Sequence, residues 1–421
     1  MNTKTKITQA VEYHRQEALE LLQAMVRTPS LEGEEKACQA LVAEKYDRMS
    51  LVVDMWDPDD LELQAHPAYV PTGRSYAGRP NVVGVFRGSG EGRSLILNGH
   101  VDVVPVGSEE QWMSPPWSGA QIGGKVYGRG SADMKGGCVS NILAVQALKT
   151  AGIHLAGDLI LESVVDEEGG GNGTLACILR GYTAGACSFT EPSGLDKIGI
   201  SNRGAQYFRI TVEGQEGGTE YVHQLVNPLK KAFEVFEAVE TYSIMREASA
   251  FHPLYDDSHT TKVPLGICKL EAGEWPSTVA SQAVMEGTIE CLPGEDIHKV
   301  KEDFRSFLME YSSKDAWLKD HPLAVEWFGL WFEAAETPAD HPFIKTLAAT
   351  AEGFTHQPVR LAGGGGCDLR LPVLYGDTPA VIFGPKGGLI HSVDEYVEFE
   401  QVISCAKILA LTAAQWCGEA K

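Results

Sequence analysis

Four short segments of this chain each end an expected strand with a metal-capable side chain, and a fifth lies far downstream. His100 and Asp102 lie in Asn98-Gly99-His100-Val101-Asp102, Asp133 in Gly130-Ser131-Ala132-Asp133-Met134, and Glu167 with Glu168 in Asp166-Glu167-Glu168-Gly169. Glu191 lies in Thr190-Glu191-Pro192 and, far downstream, His391 closes Gly388-Leu389-Ile390-His391. Singly, each has an ordinary reading. A His-x-Asp is common, an Asp-Glu-Glu is usually a solvated acidic corner, and a late histidine is usually a polar residue with a partner. Together in one chain, with glycines at the turns, they make a donor set. Imidazole and carboxylate oxygen are what zinc takes in an open, reactive site. Two histidines and three carboxylates satisfy two metals if one carboxylate bridges, and a further carboxylate can act as general base. Glu167 and Glu168 suit that division, because successive residues at a strand end point in different directions. Such a metal pair suits amide hydrolysis: it polarises the carbonyl and lowers the pKa of the attacking water. Asp102, placed on the same strand face as His100, can accept the second imidazole N–H and fix the ring.

These side chains need a rigid frame. The runs VVGVF (82–86), SLILNGHVDVV (94–104) and DLILESVV (158–165) are β-branched and bounded by glycine or polar residues, which predicts buried strands. Helices are expected over 6–25, 34–48 and 135–151, and strand-helix-strand at this spacing argues for an α/β layered domain. The character changes near residue 203. RGAQYFRITVEG alternates like a half-exposed strand, 227–242 has an amphipathic helical pattern, QAVMEGTIECL is a strand, and 295–313 a further helix. That block predicts a small α+β unit with one sheet and two helices on one face. After about residue 332 the first pattern returns, with a strand in LYGDTPAVIFGP and a closing helix over 396–416. The expected organisation is one domain from 1–202 and 333–421, interrupted by a second over 203–332.

Composition narrows the partners. The 421 residues carry a net charge of −22, a field that repels nucleic acid and anionic membrane. The first residues lack an apolar segment and a small-residue cleavage site, and no run of about 18 apolar residues occurs, so a cytoplasmic protein without a membrane span is expected. Nine cysteines without a Cys-x-x-Cys pair fit a reduced compartment. Cys367, inside a glycine run, reads as a small packing residue.

The stretches LILNGHVDVVPVG, YGRGSADMKGG, VVDEEGGG, TEPSG, GGGGCDLR and IFGPKGGLIHSVDEYV resemble the zinc amidohydrolases that include acetylornithine deacetylase, succinyl-diaminopimelate desuccinylase, aminoacylase-1 and carboxypeptidase G. The resemblance implies an α/β fold of zinc-exopeptidase type, a central mixed sheet flanked by helices, with the inserted α+β block as lid and dimerisation domain. It implies two Zn2+ ions, with Co2+ or Mn2+ able to use the same ligands. His100 and Glu191 would hold one, His391 and Glu168 the other, and Asp133 would bridge. Glu167 would be the general base, Asp102 the partner of His100, and the peptide after Asp133 cis. Arg370 matches an arginine that faces the substrate, a role suited to a planar guanidinium. The implied substrate is a small N-acyl amino acid or similar amide, and the implied assembly a homodimer through the lid.

The lid is where this chain departs from the family pattern, which is similar to G-x-x-G-H-x-x-Y-P-H…N-P. Here the residues are Gly214-Gln215-Glu216-Gly217-Gly218-Thr219-Glu220-Tyr221-Val222-His223, then Asn227-Pro228. The family histidine that reaches across the dimer to the oxyanion falls on Gly218, and loss of one such donor typically costs about 3–4 kcal/mol. The usual Pro-Asn is Pro276-Ser277, and the arginine that often follows falls near Glu290 or Thr288. Three readings stay open: Gly218 slows turnover, His223 takes the missing role, or the substrate needs a different clamp. Beside an N-acyl amino acid, the open substrate classes are an N-formyl or N-carbamoyl amine on a heterocycle and a dipeptide. A metal-retaining binding protein is the alternative of a different class.

Overall fold

The structure, a computed structural model, describes residues 2–256 and 260–420, and the chain divides into two compact units. The first comprises 1–201, 336–362 and 367–421, and the second 202–335 with 363–366. The short glycine segment 363–366 thus groups with the inserted unit, a long-range placement that the expected boundaries at 203 and 332 did not contain.

In the first unit the apolar runs form a nine-stranded mixed sheet. Its order is Val52–Trp56, Asn81–Phe86, Leu159–Val164, Leu95–His100, Cys187–Phe189, Ala380–Ile382 and Lys197–Asn202, with short segments beyond. The four strands from Leu159–Val164 to Ala380–Ile382 run parallel, and the outer pairs are antiparallel. Every residue of Leu95–His100 and Leu159–Val164 is buried. Strands covered on both faces read as continuous apolar runs, which is why these two stand out in the sequence. The helices Gly136–Thr150 and Phe399–Cys417 pack on each other and bury most of their residues. Gly137 is required where the first of these passes the sheet, because a Cβ there would sit 2.0 Å from the Thr190 carbonyl oxygen.

The helix expected over 6–25 is instead two, Thr3–Tyr13 and Arg15–Arg27. The break falls at His14, whose ring bonds Glu17, Gln146 and Thr150. Apolar periodicity does not register such an anchor, because it comes from a distant helix.

The second unit is a four-stranded antiparallel sheet in the order Leu265–Ala272, Gln282–Cys291, Gly204–Glu213, Ala324–Phe332. Phe208, Ile210 and Val212, alternate residues on one face, pack with Val235 and Val239 of helix Pro228–Ser249 and with Phe304 and Leu308 of helix Ile297–Ser313. The sheet has two strands more than the sequence pattern shows. Both are edge strands, largely exposed or half-buried along their length, so neither carries a clean apolar alternation.

Candidate metal centre

Parallel strands deliver the ends of neighbouring segments to one edge of a sheet, where open α/β folds bind their ligands. Here three adjacent parallel strands do so. His100 is the last residue of Leu95–His100, Glu191 follows Cys187–Phe189, and Glu167 and Glu168 follow Leu159–Val164. Asp133 does not end a strand. It sits in the tight turn Ser131–Lys135 ahead of helix Gly136–Thr150, where Asp133 and Met134 leave helical backbone angles and their peptide bond is cis.

The side chains converge on the Asp133 carboxylate. Its Oδ1 lies 3.1 Å from His100 Nε2, and its Oδ2 lies 3.3 Å from His391 Nε2. Glu191 Oε1 is 3.7 Å from His100 Nε2, and Glu168 Oε1 is 3.0 Å from His391 Nε2. Glu167 Oε2 is 4.0 Å from His100 Nε2. One carboxylate therefore faces two imidazoles, each of which has a second carboxylate of its own. The triads His100-Asp133-Glu168 and His100-Glu167-Glu191 each bring their donor atoms within 4.8 Å of one another.

The electrostatics of this set suit a cation. Among the described residues, the ion-pair partners of Asp133, Glu167, Glu168 and Glu191 are the two imidazoles alone. Burial drives Glu167 and Glu191 well above the ordinary carboxylate range, and the neighbouring carboxylates add to it. Hydrogen bonds to Asp133 and Glu168 raise His391 to about 10. Four convergent carboxylates match the charge of two divalent cations, and nitrogen and oxygen donors suit zinc-like ions. The residues present fit a metal pair.

Other expectations change on the structure. The strand ends at His100, so Asp102 lies beyond it and does not share its face. His100 Nδ1 is 2.9 Å from the Asp102 carbonyl oxygen and 3.6 Å from its carboxylate, so the ring N–H goes to the backbone. The Asp102 carboxylate instead accepts the Glu168 backbone N–H at 3.0 Å. Arg370 is fully buried and donates to the Gly170 carbonyl at 3.0 Å; it braces the loop after Glu168 and does not line an open site. In the second unit Asn227 caps helix Pro228–Ser249, accepting from the Leu229 N–H, and His223 is exposed. Gly218 has ordinary extended angles, φ −64° and ψ 151°, and the nearest atoms to a Cβ there belong to the Glu220 carboxylate. Desolvation pushes the Cys367 thiol up from its usual range, which suits a packing residue.

Two buried carboxylates that support the site were not singled out in the sequence. Asp166, at φ 68°, pairs with Arg79 at 3.1 Å and accepts from Asn172 at 3.1 Å, while Arg79 also bonds Glu35. Glu395 binds the turn that carries Asp133. Both stand inside motif stretches, but only proximity in space distinguishes a support from a ligand.

An imidazolium has no lone pair to offer a metal. With His391 raised to about 10, a metal bound through this ring would have to displace its proton in the neutral range, so its affinity would rise with pH. Calorimetric Zn2+ titration of the metal-free chain is expected to show an affinity gain of about tenfold or more per unit between about pH 6 and 8, with proton release. A pH-independent affinity would show that His391 is no ligand.

Comparison with known proteins agrees with this geometry. The chain is 29% identical to the N-formyl-4-amino-5-aminomethyl-2-methylpyrimidine deformylase of Bacillus subtilis, over 98% of this chain and 97% of that one. It is 28% identical to the succinyl-diaminopimelate desuccinylase of Leptothrix cholodnii, over 90% of this chain and 94% of that one. Its fold is similar to human carnosine dipeptidase 1, with a TM-score of 0.76 at 16% identity, covering 99% of both chains. Residues 96–415, which include every residue of the converging cluster, match the profile of peptidase family M20/M25/M40, and the chain belongs to that family.

Proposed function

We propose that this protein hydrolyses the amide bond of a small N-acyl amine, with Glu167 as general base and His100, Asp133, Glu168, Glu191 and His391 holding two metal ions. The observation that carries the reading is the Asp133 carboxylate, set between two imidazoles that each have their own carboxylate partner. Zinc is the natural occupant of such donors, with Co2+ or Mn2+ able to replace it. Bound there, the metals would polarise the amide carbonyl and acidify the attacking water. Glu167, half-buried with its Oε2 4.0 Å from His100 Nε2, takes a proton from that water and returns it to the leaving amine. Glu167→Gln is expected to retain both metals by elemental analysis while kcat falls about 10³-fold or more; unchanged turnover would remove Glu167 from this role.

The acyl group is formyl and the amine is carried by a polar heterocycle. Two relatives named N-formyl-4-amino-5-aminomethyl-2-methylpyrimidine deformylase match nearly the whole chain. This chain also lacks the Asn and Arg clamp for a substrate carboxylate. Position 277 is serine, and of the two positions open for the arginine one is Thr288 and the other Glu290, a carboxylate held by Arg203 Nε at 2.6 Å. In a panel of N-formyl-4-amino-5-aminomethyl-2-methylpyrimidine, succinyl-diaminopimelate and N-acetyl amino acids, kcat/KM is expected to favour the formyl substrate by about 100-fold or more, the ratio available when a site lacks a partner for a polar group. A preference for succinyl-diaminopimelate would reverse this assignment.

We propose further that the inserted unit pairs with a second copy of itself. Phe233 and Ile244 on helix Pro228–Ser249 are 60% and 70% exposed, and Leu265–Ala272 is an unpaired sheet edge. Exposed edges and apolar faces of this kind are normally covered. Light scattering is expected to report a dimer, and Phe233→Glu a monomer with the same circular dichroism; a monomeric parent chain would end the proposal.

A further inference from the structure

At the turn that presents Asp133, the backbone N–H groups of Gly130, Ala132 and Asp133 all go to one side chain. Glu395 is completely buried. Its Oε1 accepts from the N–H groups of Ala132 at 2.9 Å and Asp133 at 3.1 Å. Its Oε2 accepts from the Gly130 N–H at 3.1 Å and from Arg129 Nη1 at 2.6 Å. Its own carbonyl accepts from the Gly128 N–H at 2.9 Å. Arg129 adds a bond to the Pro105 carbonyl at 3.2 Å, on the segment that follows His100 and Asp102. Glu395 is also four residues beyond His391, in a segment where Leu389, His391 and Asp394 all adopt positive φ, a conformation non-glycine residues rarely hold without outside support. Immediately after it, Tyr396–Glu398 pairs with Lys125–Tyr127, closing the same junction.

From this we infer that Glu395 is a positioning residue of the metal centre: by binding the Asp133 turn while anchoring the His391 segment, it sets the spacing that lets one carboxylate serve two metals. The inference rests on the two-metal reading above. The physical demand is geometric. Asp133 Oδ1 faces His100 and Oδ2 faces His391, so a shift of the turn relative to the His391 segment spoils one contact and spares the other. A carboxylate suits the task because four donors converge on its two oxygens, and a charged acceptor makes stronger, shorter bonds than a neutral one. A glutamine offers one acceptor oxygen and turns an N–H donor against the rest, leaving buried donors unpaired. Supports of this kind are typically worth about 10–100-fold in metal affinity.

The test is titration of the metal-free chain with Co2+ alone, followed by calorimetry and by the visible absorption of bound cobalt. The parent chain is expected to take two equivalents. Glu395→Gln is expected to keep the first within about threefold and to lose affinity for the second by about 10–100-fold. Arg129→Gln, which removes one donor to Glu395 and leaves the backbone bonds in place, is expected to weaken the second equivalent in the same direction by about tenfold; it decides the matter if Glu395→Gln does not fold. A purely structural role would lower Tm and leave the ratio of the two affinities unchanged in a folded variant. That result, or two equivalents bound with the parent's affinities, overturns the inference. A parent chain that takes fewer than two equivalents overturns the two-metal reading instead.

Discussion

Four carboxylates brought together at the carboxyl ends of adjacent parallel strands are the constraint on which the first unit is built. Burying an unpaired carboxylate is costly, and burying several close together more so. The chain supplies two imidazoles, and the donor set has the chemistry to hold metal ions for the remaining charge. The surroundings answer the same demand. The converging cluster is reached from three strand ends, a turn and a distant loop, and none of those can drift without separating side chains that lie within a few ångströms of one another.

A ring of buried ion pairs outside the ligands gives that rigidity. Arg79 ties Glu35 to Asp166 beneath the Glu167-Glu168 turn, and Arg129 ties Glu395 to the Asp133 turn. Breaking a buried pair leaves an uncompensated charge, so such pairs act as locks for the backbone that carries the ligands even where their net stabilisation is small. Close backbone approaches do similar work. Gly137 passes the carbonyl next to Glu191, and Gly171, at φ 83°, passes the Asp368 carboxylate, so neither position has room for a side chain.

The second unit answers to different physics. It has its own core, built on alternate residues of Gly204–Glu213 and two helices, and it carries no part of the converging cluster. Gly218, Ser277, Thr288 and Glu290, the positions singled out in its sequence, all lie in this unit and outside the converging cluster. Membership of family M20/M25/M40 together with the amide-hydrolysing relatives makes the protein a metal-dependent amidohydrolase acting on linear amides.

What the sequence by itself determined was the set of chemical groups and the strands that end in them. Doubly buried strands and metal-capable residue types are local signals, so Leu95–His100, Leu159–Val164 and the residue types of the converging cluster could be read directly. The α/β class with an inserted α+β unit was equally legible, because it rests on a change of periodicity near residue 203. Tertiary structure decided which partner each group meets. It gave the His100 N–H to a backbone carbonyl instead of the Asp102 carboxylate, drew Arg370 into the interior, and made Asn227 a helix cap. It also revealed the edge strands of the second unit, the break at His14, and the supporting roles of Asp166 and Glu395. Each of these depends on contacts between residues far apart in the chain, and a one-dimensional pattern carries residue type and period but not the distance between two side chains.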